Sequence, residues 1–164
     1  MLWRAGVGDV VGCTNLTMAG EYKKAIPSCR ALVEKMPTFA EAHNNLSWCL
    51  TLDDQFPEGL AEARKAVDLE PTRSHYDTLA MALARSGQGK EAMQVETDHV
   101  IEGGGVANDS ERVTLGMVYF ASGHQQDANK QWELAATGTD AVAQKLARRF
   151  EAQYHSFREQ VVTP

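Results

Sequence analysis

The chain has 164 residues, one domain's length, with 43% apolar and 23% charged side chains, the composition of an ordinary folded protein. Its 22 acidic and 16 basic residues leave a net charge of −6. This balance argues against nucleic acid, which needs a concentrated basic face. No apolar run approaches the roughly 18 residues of a membrane span, so none is expected.

Met1 to Ala5 read as a short lead-in, with Trp3 packed over an exposed end. Val10-Val11-Gly12-Cys13 has the outline of a lipoprotein cleavage box. Asp9 interrupts a stretch already too short for a signal core, and helix packing accounts for the same residues. Gly6, Gly8 and Gly12 weaken the first helix, since each costs about 1 kcal/mol relative to alanine. A second helix begins at Lys23 or Lys24, which leaves Pro27 near its start. The odd count of three cysteines, Cys13, Cys29 and Cys49, excludes a complete disulfide framework. All three fall in helical stretches, where a free cysteine behaves as a small buried apolar residue. A reducing, cytoplasmic location follows.

From Ala40 the chain reads AEAHNNLSWCLTLDDQFPEGLAEARKAVDLEP, and from Arg73 RSHYDTLAMALARSGQGKEAMQVETDHVI. In each, an apolar run (Leu46 and Leu50; Leu79 and Leu83) meets a polar or small turn, then an alanine-rich helix. Glu70-Pro71 ends the first of these stretches, because a residue before proline is pushed out of the α region. Glu102-Gly103-Gly104-Gly105 reads as a flexible loop after the second. A further pair follows from Asp109, where Asp109 or Ser110 serves as cap and Glu111 or Arg112 stands in the first turn. The last helix runs from about Asp140 to Phe157. Val142, Leu146, Phe150, Tyr154 and Phe157 form its apolar stripe, while Lys145, Arg148, Arg149, Glu151 and Arg158 face away.

The pattern resembles the tetratricopeptide repeat, a helix-turn-helix unit of about 34 residues. Leu115-Gly116 and Tyr119 match the family's Leu-Gly and Tyr positions. Gly20, Asp53-Asp54-Gln55, Ser86-Gly87-Gln88-Gly89 and Gly123 fall at its inter-helix turn. Ala25, Gly59, Ala92 and Ala128 fall where its two helices cross. The resemblance implies an all-α, right-handed α-solenoid in one domain. Its units are 6–39 (degenerate), 40–72, 73–108 and 109–140, with a capping helix over 140–158.

What the resemblance implies about function is a non-catalytic adaptor that takes a partner segment in a concave groove lined by each unit's first helix. In that geometry the second, fifth, ninth, twelfth and thirteenth positions of a unit face the groove. Trp48, Met81 and Met117 then form a solvent-facing apolar stripe, a mark of a binding surface, with Asn44 and Asp77 at fifth positions and Arg85 at a thirteenth. Asn45 offers an amide to a peptide backbone. The family's carboxylate clamp is absent, because Val10, Ser74 and Thr78 are not basic. A stably embedded subunit or assembly factor, and a regulatory domain serving a separate enzyme, are the alternative readings.

No site for chemistry is expected. His43, His75, His99, His124 and His155 are dispersed over surface or groove, and no H-E-x-x-H or Cys/His cluster supplies a metal site. Gly6, Gly8 and Gly12 have the wrong spacing for a dinucleotide loop. Asp53-Asp54 is a loop pair, and Ser28-Cys29 has no activating base. Neither cofactor nor catalytic residue is assigned.

Overall fold

The computed structural model describes residues 3–101 and 107–155. They form nine α-helices and no strand. These are α1 (Trp3–Met18), α2 (Tyr22–Lys35), α3 (Ala40–Leu52), α4 (Phe56–Leu69), α5 (Arg73–Arg85), α6 (Gly89–Glu96), α7 (Asp109–Ala121), α8 (Gln125–Ala136) and α9 (Ala141–His155). A π-helical turn, Thr97–Ile101, extends α6. The 102–105 loop, Phe157 and Arg158 lie outside the described residues, as does the side chain of Trp3.

Each odd-numbered helix packs on the even-numbered helix after it, and each even-numbered helix on the next odd one. The odd helices also pack side by side, α1 on α3, α3 on α5, α5 on α7 and α7 on α9. The tight turns within the pairs repeat one backbone device. Gly20, Asp54, Gly87 and Gly123 all take a positive φ, of 71°, 63°, 78° and 85°. The N–H that follows each reaches back to a helix carbonyl: Glu21 to Leu16, Gln55 to Leu50, Gln88 to Leu83 and His124 to Tyr119. This is the left-handed closure that glycine makes easy and that aspartate tolerates better than most residues.

Close approach explains the small residues. Ala25, Ala92 and Ala128 are wholly buried. A Cβ on Gly59 would lie 2.6 Å from the Thr51 hydroxyl oxygen, and one on Gly89 2.2 Å from the Ala121 carbonyl oxygen. One core joins α3 through α9 and contains Trp132 and Phe150, both fully buried; a second joins α1–α3.

Several expectations need correcting. Helix α2 begins at Tyr22, so Pro27 stands in its interior. Asn108, one residue earlier than expected, caps α7 in a reciprocal box with Glu111, at 2.9 Å in both directions. That frees Asp109 to accept the N–H groups of Thr139 (2.6 Å) and Asp140 (2.9 Å), fastening α7 to the start of α9. Cys13 and Cys29 are not free small residues; they form a disulfide between α1 and α2, with Cα atoms 4.7 Å apart. Cys49 is the free thiol among the described residues, and its burial pushes its pKa up to about 11. His43 and His75 are buried rather than displayed on a surface. Arg149 does not simply face away, since it donates to the Leu52 carbonyl at 3.2 Å.

Candidate functional site

The odd helices bring one end of α9 close to the end of α1. A Cβ on Gly20 would touch the Val142 side chain at 3.4 Å, and the Arg149–Leu52 bond ties α9 to the end of α3. Between them lies a cavity of about 280 Å³ whose wall includes residues of α1, α3, α5, α7 and α9. Four of the residues singled out from the sequence, Asn44, Asn45, Trp48 and Asp77, line it together. Asn44, Asn45 and Asp77 are 6%, 8% and 7% exposed, and Trp48 is half-buried.

The other three are elsewhere. Met81 and Met117 are buried in the larger core, which they share with Ala143, Leu146 and Phe150 of α9. They are not part of a solvent-facing stripe, because α9 lies where an open array would leave them bare. Arg85 is spent inside the fold. It donates to the Tyr154 hydroxyl at 2.7 Å and pairs with Asp54. Its guanidinium also lies over the rings of Phe56 (5.1 Å) and Phe150 (5.2 Å).

Buried polar atoms without a hydrogen-bond partner are rare in folded proteins and call for an explanation. The cavity wall holds four: the Tyr22 hydroxyl, Asn44 Oδ1, Asn45 Nδ2 and Asp77 Oδ1. Asn44 and Asn45 are neighbours on α3, and Asp77 is on α5, so two adjacent odd helices converge on the same space.

Behind the wall sits a group of carboxyls. The Thr114 hydroxyl donates to Asp77 Oδ2 at 3.1 Å, and Arg73 grips Glu111 at 2.7 and 3.2 Å. Burial pushes Asp77 up to about 8 against the lowering effect of Thr114 and Arg73. Burial likewise pushes Glu96 up to about 9, with Asp77 and Glu111 adding to the rise. Burial also acts upward on Glu111, but the hydrogen bonds from Arg73 and the Asn108 N–H, with the Arg73 charge, hold it below the usual carboxylate range. Near neutral pH, Glu111 and Arg73 are the charged pair, and Asp77 and Glu96 keep their protons. Both Glu96 oxygens are buried without a hydrogen-bond partner, next to the π turn.

Sequence reasoning passed over Glu41, Ser74 and Ser110, which also line the cavity. Each is the second residue of its unit, so the rule that selected Asn44 and Asp77 already pointed to them. Tyr22 and Asp140 also line it; they lie between the groove helices and carried no such signal. Among the described residues, no three His, Cys, Asp or Glu side chains are placed to hold a metal ion. No helix among them is long and apolar enough to cross a membrane. No family model matches the sequence, and no curated protein matches it either.

Proposed function

We propose that the chain is a right-handed solenoid of tetratricopeptide-like units that acts as a non-catalytic adaptor, holding an extended segment of a partner protein in the channel between its odd-numbered helices. The observation that carries this reading is the row formed by Asn44, Asn45 and Asp77. All three are buried, they line one cavity, and each has a polar atom that nothing among the described residues satisfies. A segment of main chain supplies such partners at regular spacing, and the energy of those bonds is greatest where water is excluded. The repeated left-handed turns and small crossing residues support the solenoid part.

The test compares the full chain with an Asn45→Ala, Trp48→Ala double variant as baits in native extract, with circular dichroism as the folding control. Adaptor function predicts a defined prey that the parent retains and the folded variant loses. Equal retention by both baits counts against the channel.

A second reading, an embedded subunit, is favoured by the first unit. Val11, Met18 and Met36 are 49%, 73% and 42% exposed, a concentration of bare apolar side chains at one end of the array. Under this reading that end is covered in a stoichiometric complex, and a constant prey ratio distinguishes it. The Cys13–Cys29 bond supports an oxidising compartment in place of the cytoplasm, and it leaves no thiol at Cys13 for lipidation.

A further inference from the structure

We propose that the channel receives the ammonium group of a lysine side chain carried by the partner segment. This inference rests on the adaptor reading and adds the chemistry of its ligand.

The wall has a one-sided charge inventory. Glu41, Asp77 and Asp140 line the cavity, and among the described residues no lysine, arginine or histidine does. Trp48 and Tyr22 add aromatic surface of the kind that attracts cations. An anionic or carboxylate-ended ligand would meet carboxyls with nothing to pair it. The three carboxyls are not equivalent. Asp140 commits Oδ1 to capping α9, accepting from the N–H groups of Val142 (2.8 Å) and Ala143 (3.1 Å). Glu41 has a half-exposed side chain beside His75. Asp77 is the buried one, and its Oδ1 is unpartnered.

The unpartnered atoms specify the ligand further. Asn44 Oδ1 is an acceptor, and Asp77 Oδ1 becomes one when Asp77 gives up its proton, which suits a group with several N–H donors. Asn45 Nδ2 is a donor, which suits a peptide carbonyl. A lysine residue in an extended chain offers both. Arginine fits less well. Its planar fork favours two oxygens of one carboxylate, and Asp77 already has Oδ2 engaged by Thr114. A compact ammonium needs only the remaining oxygen.

Asp77 faces Arg73 on its own helix, Glu96 on α6, and Glu111 and Thr114 on α7. Arg73 is engaged by Glu111, and its charge lowers Asp77 without overcoming the effect of burial, so it does not fully neutralise an ionised Asp77. An arriving ammonium would do so, and binding is accordingly coupled to release of a proton from Asp77. Affinity rises between pH 6 and pH 9, a range in which lysine, with a pKa of about 10.4, stays largely charged.

The experiment uses the full chain and four probes by calorimetry: cadaverine, and end-blocked alanine heptapeptides with a central lysine, acetyl-lysine or glutamate. The lysine peptide is expected to bind at least tenfold more tightly than either other peptide. Asp77→Asn, which keeps the Thr114 hydrogen bond and the side-chain volume, should remove that preference with the helical spectrum unchanged. Glu41→Gln should weaken binding less. Equal affinity for the lysine and acetyl-lysine peptides overturns the inference and leaves the adaptor reading in place. A lysine preference that survives in Asp77→Asn also overturns it. Cadaverine binding that needs Asp77, with no peptide binding, supports the ammonium site and overturns the partner-segment reading. No binding by any probe overturns the inference.

Discussion

Gly116→Ala tests the packing of α7 on α8 most directly. A Cβ at this position would lie 2.1 Å from Trp132 Nε1 and 2.3 Å from its Cδ1, far inside the optimum of about 3.5–4.0 Å for non-bonded carbons. The indole has nowhere to go. It is fully buried, with the rings of Phe120, Phe150 and Tyr154 at 6.1, 6.2 and 5.9 Å. Moving it also strains the Nε1–H bond to the Val113 carbonyl, already at 3.3 Å. Overpacking costs about 1–3 kcal/mol, and a buried donor left unpaired about 1–3 kcal/mol more. The better helix propensity of alanine returns only about 1 kcal/mol. The net expectation is a loss of about 3 kcal/mol, or a fall in Tm of about 6–12 °C for a chain of this length. Urea unfolding followed by tryptophan fluorescence and near-ultraviolet dichroism measures it. Gly8→Ala is the matched control, because an added Cβ there meets nothing within 4 Å, and it should be neutral or stabilising by up to about 1 kcal/mol. If Gly116→Ala is as stable as the parent, Trp132 does not sit against α7 as described.

Other consequences follow from the same contacts. Reducing Cys13–Cys29, a separation of 16 residues, should destabilise the α1–α2 pair by about 3 kcal/mol; hydrogen exchange should speed up there and not in α5–α8. Cys49, with its pKa raised to about 11, should resist iodoacetamide at pH 8 until the chain unfolds, and rapid labelling of the native protein contradicts its burial. Asp77 and Glu96, ordinarily near 3.8 and 4.5, hold their protons to about 8 and about 9 in the folded chain. Their contribution to stability is therefore full below about pH 4 and is lost as pH rises to about 9; the advantage of Glu96→Met over the parent in urea unfolding should accordingly grow as pH rises from about 5 to about 9. Arg85→Ala removes a side chain that is 2% exposed and joins Asp54, itself 60% exposed, to Tyr154; urea unfolding should show a loss of about 1–3 kcal/mol, and lysine should not restore it, having no fork to share between two partners.

What was legible in the sequence was whatever the local chain enforces. A residue with positive φ is written as glycine three times and aspartate once, at Gly20, Gly87, Gly123 and Asp54. A close crossing is written as alanine or glycine, so the start of each helix pair could be read to within a few residues. The disulfide was not legible, because an odd cysteine count excludes a full framework without excluding one pair; only the antiparallel packing of α1 on α2 brings Cys13 beside Cys29. The carboxyls were hidden for a related reason. Asp77 and Glu96 look like ordinary polar positions until three helices close around them.

The misplaced groove residues show the same limit. A period of 3.6 residues shows that α9 has an apolar face, but not which surface receives it. Phe150 and Leu146 share a core with Met81 and Met117, so two positions that an open array would present to solvent become interior. Closure by α9 also accounts for the burial of the polar row. With Val142 against Gly20 and Arg149 bonded to the Leu52 carbonyl, the last odd helix meets the turn after α1 and the end of α3, and the space between them narrows to a cavity of about 280 Å³. A ligand entering this cavity without satisfying the unpartnered atoms of Asn44, Asn45 and Asp77 would leave their desolvation cost uncompensated.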